Sequence, residues 1–253
     1  MQWLIKLFGE ESAFGRFLNR LYVIVVSNLL FVLFSIPVVT IGAGISALDF
    51  TLMKYQRGDR HFKVAAMFWK GFKENFVKAT VCFIVYVLLM LLQALEISWC
   101  RQFAGPVGLF RYALVGLMAL ETIVAVYLFP VIAAFNGSYG ELLKNAVYFA
   151  FSKPHCMLAC VALNVVPLAA TYASLRLLPL WAFLWLLFGF GAIAYITGKI
   201  MLRQFMPFLP EVDICGDIIP PGQEDDPNIM VGDSDSDDDF DEKTLREMMK
   251  YGL

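Results

Sequence analysis

Glu121 is the residue of this chain with the sharpest potential chemistry, because it stands inside an otherwise apolar run at 109–135. An ionised acid at the centre of a bilayer costs about 2.5–3.5 kcal/mol on insertion scales, so it takes a partner, keeps its proton or serves a ligand. Two readings follow. Glu121 is either a proton or substrate site facing a bundle interior, with Asn28 or Asn164 beside it, or a neutral acid that fixes helix packing. Asn28 and Asn164 are each the lone amide of an apolar run, and the usual work of such a group is a hydrogen bond between helices.

Nothing else in the chain has the spacing of a reaction centre, and we expect no catalytic residue and no enzyme. His61 and His155 have neither a paired carboxylate nor an HExxH context, and no Ser or Cys sits in a nucleophile motif. GxGxxG and the Walker lysine are both missing, so the chain is not expected to use ATP by itself. Cys82, Cys100, Cys156, Cys160 and Cys215 form no CxxC pair and no ligand spacing with the histidines; they read as free thiols. Asp233, Asp235 and Asp237 open like a calcium loop. Asp238, however, replaces the turn glycine, and Thr244 stands where the bidentate Glu is required. No metal and no cofactor is expected.

The elements that must position these residues are membrane helices. The run 21–39, LYVIVVSNLLFVLFSIPVV, holds no charge, and about 18 apolar residues suffice to cross about 30 Å of hydrocarbon. With 59% hydrophobic and 17% charged residues over 253 positions, the chain is far more apolar than a soluble domain. We expect an all-α, polytopic transmembrane bundle at 1–210 with five spans, at about 20–37, 79–96, 109–135, 156–175 and 180–201. The start, MQWLIKLFGEESAFGRFLNR, lacks the parts of a cleaved secretory signal and reads as an interfacial helix or a mobile end.

Charge divides the chain sharply. Residues 1–210 carry 17 Lys and Arg against eight acids, whereas 211–242 carry 13 acids and no base. The tail at 211–253 has Pro, Gly and acids with little apolar periodicity, so it is expected to be mostly disordered. Between the spans, Lys54, Arg57, Arg60, Lys63, Lys70, Lys73 and Lys78 crowd one stretch. There Val64, Phe68, Trp69, Phe72 and Phe76 recur at helical spacing, which predicts an amphipathic helix over 61–78 at a membrane surface. Lys63, Lys70, Lys73, Lys78 and Trp69 are the candidates for contact with anionic lipid or a partner. Its place between two spans argues against nucleic acid.

So basic a loop predicts a cytoplasmic face. Lys144, Lys153, Lys199 and Arg203 then lie inside as well, and the acidic tail with them. Five spans leave Lys6, Arg16 and Arg20 outside. A sixth span at 38–54, following a hairpin at Pro37, brings them in, but its arms are short for the bilayer. Against it stands a weak internal echo: FSIPVV and LFPVI each end a span and precede a partly amphipathic stretch, FWKGFKENFVKAT or ELLKNAVYFAFSKPH. The glycines Gly189, Gly191 and Gly198 make a small-residue strip for close helix packing.

Three of these blocks, SNLLFVLFSIPVVTIGAGISAL, FWKGFKENFVKAT, and YLFPVIAAF with LLKNAVYFAFSKP, resemble the YesL family, bacterial integral membrane proteins of unknown function found mainly in Firmicutes. The resemblance covers roughly 14–210 and leaves out the acidic tail. It implies a plasma-membrane protein encoded near carbohydrate ABC transporters, and hence an accessory part of an oligosaccharide uptake system. It transfers no binding residue. Other functions open at this point are a small proton-coupled carrier using Glu121, and a sensor or scaffold whose tail recruits a cytoplasmic partner or folds back on the basic loop. Ligand and oligomeric state are open.

Overall fold

The computed structural model describes residues 13–58, 63–103 and 105–209. The acidic tail, with its expected disorder, lies outside the described residues, as do the first twelve residues and His61. What is described is helical, with no strand among the described residues. Six helical segments are long and apolar enough to cross a membrane, one more than the five-span layout provides.

Helix α1 (Ala13–Phe34) is the uncharged run met first in the sequence, extended backwards through Arg20 and Arg16. It stops because Pro37 cannot donate the next helical hydrogen bond. The Thr40 hydroxyl instead bonds the carbonyls of Pro37 and Phe34, and a single 3-10 turn (Val38–Thr40) restarts the chain into α2 (Ile41–Gln56). The hairpin at Pro37 therefore forms, and the segment expected to emerge there is the sixth candidate span. It is the most buried of the six, packed against α1, α3, α4 and α8. That position explains its polar residues: Ser46, Asp49 and Thr51 face protein rather than lipid.

Helix α3 (Val64–Cys100) is a second departure from expectation. The amphipathic stretch and the span that follows it are one uninterrupted helix of 37 residues. At about 1.5 Å per residue this is about 55 Å long, well beyond the hydrocarbon thickness. Val64, Phe68, Gly71, Phe72, Asn75 and Ala79 form its buried stripe, and the rings of Phe68, Trp69 and Phe72 gather around Phe34. Close approach of α2 depends on glycine. A Cβ at Gly42 would overlap Phe83 and the Ala79 carbonyl oxygen, and one at Gly71 would come 2.6 Å from the Phe50 ring.

The second half is α4 (Pro106–Ala134), α5 (Tyr139–Ser152), α6 (Pro154–Ala173), a short α7 (Leu178–Leu184), a π turn (Trp185–Gly189) and α8 (Phe190–Phe205). Amphipathic α5 begins with a capping box: Glu141 N–H donates to the Ser138 hydroxyl, and Ser138 N–H donates to the Glu141 carboxylate. It buries Leu142, Ala146, Phe149 and Ala150, and Phe149 meets Phe205 and Phe135. Two apolar clusters result. One unites α1, α2 and the start of α3; the other centres on α4, α5 and α8 and takes in Met53 of α2, Ala79 of α3 and Cys160 of α6.

Candidate functional site

Between these helices lies a cavity of about 720 Å³, within the size range of small-molecule pockets. Phe31 and Val32 of α1, Ile45, Leu48 and Asp49 of α2, and Tyr86 of α3 form one side. Thr122, Phe129 and Pro130 of α4, Asn164 of α6, and Trp185, Phe190 and Thr197 of the last span form the other. The walls are aromatic and aliphatic, with a few hydroxyl and amide groups. Asp49 is the one acid among the described lining residues.

Asp49 is only 5% exposed, and among the described residues nothing hydrogen-bonds to its carboxyl group. A buried acid without a partner is costly, which makes this position a site candidate on physical grounds. The sequence reading passed over it. The available signal was an acid in the middle of a charge-free stretch between Pro37 and Lys54, hidden because that stretch also admits a loop.

Glu121 does not line the cavity. Its Oε1 accepts a 2.6 Å hydrogen bond from Nε2 of Gln93, a residue 5% exposed on α3. Two oxygens of this pair, Gln93 Oε1 and Glu121 Oε2, have no partner. They are the acceptor and the donor that a neutral carboxylic acid would join in a second bond. Thr122, the next residue, turns to the cavity and lies 3.5 Å from the Tyr86 hydroxyl. The geometry around Glu121 is that of a tie between α3 and α4.

Asn28 is fully buried and spans the π turn in the last membrane segment. Its Nδ2 donates to the carbonyls of Trp185 (3.1 Å) and Leu186 (2.7 Å), while its Oδ1 accepts from Gly191 N–H at 2.8 Å. A π turn misaligns the helical ladder and leaves backbone groups without their usual partners; one amide side chain satisfies three of them. Gly191 is required because a Cβ there would approach the Ile24 carbonyl oxygen to 2.8 Å. The turn aims Trp185 at the cavity, with its ring 4.6 Å from that of Phe190 and its Nε1–H bonded to Thr171. Asn28 thus positions the cavity wall without touching the cavity.

Asn164 does reach the cavity. Its Nδ2 bonds the Cys160 carbonyl one turn back, which leaves Oδ1 available. Neither Asn28 nor Asn164 is bonded to Glu121, so the reading that put one of these amides beside it gives way to three separate arrangements.

The basic candidates lie elsewhere, on the first part of α3 and at Lys63 just before it. Lys63, Lys70, Lys73 and Trp69 are exposed and Lys78 is half-buried; the Lys73 ammonium sits 5.1 Å from the centre of the Trp69 ring. Such a cation–aromatic pair suits an interface, where apolar bodies and charged tips both find solvent. Cys82, Cys100, Cys156 and Cys160 are free thiols. Among the described residues no three His, Cys, Asp or Glu side chains gather in a metal-binding group.

Comparison with known proteins adds one finding. No curated protein and no solved structure matches the chain. Over residues 24–97, from α1 through Asp49 into α3, the chain matches the family model described as a protein of unknown function, DUF624.

Proposed function

We propose that this membrane-helical protein is non-enzymatic and binds a small solute in the cavity between its helices, with Asp49 as the charged group of the site. The observation that carries this is the unpartnered, buried Asp49 on the wall of a largely apolar cavity. The π turn within the last span supports it, because such single-turn bulges inside helices are frequent at functional sites. The carrier reading thus passes from Glu121 to Asp49. Its test is thiol labelling of Asn164→Cys in a cysteine-free, reconstituted chain. N-ethylmaleimide should modify position 164 faster than the exposed, outward position 166, and Ala125→Phe should suppress the reaction. Equal rates at 164 and 166, unaffected by Ala125→Phe, would refute it.

A second reading, an accessory component of an oligosaccharide ABC uptake system in a Firmicute plasma membrane, is favoured by the YesL-like blocks and is compatible with the family match. An oligosaccharide needs many hydrogen-bonding partners, and this cavity offers few, so partner subunits would handle the sugar. In this reading the basic stretch of α3 and the acidic tail face the cytoplasm and contact lipid or those subunits. Purification in mild detergent from sugar-induced cells should bring transporter subunits along; a chain that emerges alone removes this reading. A scaffold role for the tail predicts loss of a cytoplasmic partner on deletion of 211–253.

A further inference from the structure

We propose that the cavity accepts an organic monocation with an apolar body, paired to the Asp49 carboxylate. This rests on the solute-binding reading and names the class of solute.

Three features of the site converge on that class. First, the Asp49 carboxyl is buried, faces the cavity and has no hydrogen-bond partner among the described residues. Its negative form would be balanced by a positive guest and would repel an anion. Second, the surrounding wall is rich in rings: Phe31, Phe129, Trp185, Phe190 and Tyr86 all contribute. Aromatic faces attract cations, and more strongly where water is excluded. Third, the guest must give up its hydration to enter. A compact metal ion such as calcium is held by about six to eight oxygens, whereas this wall supplies one carboxylate and scattered hydroxyl and amide groups. Several of those are already committed, since Thr122, Thr197 and Asn164 each donate to a carbonyl of their own helix. An organic cation spreads its charge over an apolar frame, loses less on leaving water, and gains from burial against the rings.

The cavity volume of about 720 Å³ leaves room for a guest of drug-like size. Pairing of one acid with a ring-lined wall selects by sign of charge as well as by size. A neutral guest of the same shape would gain the burial and leave the acid unpartnered.

The test uses two ions of the same shape and opposite sign, tetraphenylphosphonium and tetraphenylborate, with the full chain in zwitterionic nanodiscs and empty discs subtracted. Tetraphenylphosphonium should bind saturably and about tenfold or more tighter than tetraphenylborate. Asp49→Asn should erase that preference, Asp49→Glu should keep it, and Ala125→Phe should abolish binding of both while leaving the acid in place. Equal binding of the two ions, or phosphonium binding unchanged in Asp49→Asn, overturns the cation assignment. So does the absence of saturable phosphonium binding. If Asp49→Asn does not fold, the comparison of Asp49→Glu with Ala125→Phe decides: loss of the charge preference in the former, or unchanged binding in the latter, refutes the proposal. Labelling at position 164 uses no ligand, so the cavity reading stands or falls separately.

Discussion

Asn28 makes three hydrogen bonds to another segment's backbone, whereas the one bond shown for Asn164 stays on its own helix. The two amides look alike in the sequence, and the difference should be measurable. Interhelical hydrogen bonds in membranes average about 0.6 kcal/mol and reach about 1.7, and orphaning buried backbone groups adds to the loss. Asn28→Leu should therefore destabilise the bundle by about 2–4 kcal/mol in denaturing-detergent titration, and Asn164→Ala by less than about 1 kcal/mol. Equal effects would contradict the clamp. At Glu121 the expectation runs the other way: in Glu121→Gln the amide can still accept from Gln93 and can also donate to its orphaned Oε1. That variant should match or exceed the parent in stability, and a marked loss would mean that the carboxyl group itself is needed. The sequence singled out Asn28, Glu121 and Asn164, strongly polar residues of unmistakable spans, because contrast with apolar neighbours is a local signal. Asp49 shares its segment with Ser46, Thr51 and, at its end, Lys54, so the contrast that marks it is weaker and the segment also admits a loop.

Helices meet where side chains allow, and two glycines separate contact from composition. Gly42 lies at the crossing of α2 and α3, where an added Cβ collides with Phe83 and the Ala79 backbone; Gly116 on α4 has open space around it. Gly42→Ala should cost about 3 kcal/mol or more through overpacking, while Gly116→Ala should be neutral or gain up to about 1 kcal/mol of helix propensity, both by the same titration. The start of α5 carries a pH dependence. Hydrogen bonds from the Ser138 backbone and hydroxyl, with a smaller contribution from Lys144, hold the Glu141 carboxyl below its usual value of 4.5. Its contribution is thus fully present above that value and fades as the pH falls through the lower, folded one. Hydrogen-exchange protection in the first turn of α5, relative to the intrinsic rate at each pH, should fall on acidification through that window, and Glu141→Gln should flatten the response. Apolar periodicity made the amphipathic start of α3 readable in advance, with Val64, Phe68 and Phe72 in its buried stripe but Trp69 and Phe76 exposed; for α5 it gave only a partly amphipathic stretch. It could not reveal that the amphipathic stretch runs straight into the next span, because charge content changes at Lys78 while the backbone does not. Nor could it reveal the π turn, which depends on Asn28 more than 150 positions away.

For the whole molecule, the sixth span changes what the charges say. Five crossings leave the basic N-terminal residues on the face opposite the α3 lysines, whereas six bring Arg16, Arg20, Lys63, Lys144, Lys153, Lys199 and Arg203 to one face. That arrangement agrees with the bias of bases toward the cytoplasm. The earlier objection to short hairpin arms weakens once α2 is seen packed among other helices, because a segment surrounded by protein need not match the lipid thickness by itself. Ile36 decides between the layouts. It stands at the turn between α1 and α2, is 73% exposed, and changes sides according to whether α2 crosses. In a cysteine-free chain in sealed inverted vesicles, single cysteines at Lys63 and Gly140 should react with an impermeant maleimide. Those at Ile36, Phe103 and Leu177 should stay protected until the membrane is opened. If Ile36→Cys instead reacts together with Lys63→Cys, α2 does not cross, and Asp49 sits in a segment that enters and leaves by the same face. The cavity would then be a vestibule open to one compartment rather than a chamber between two.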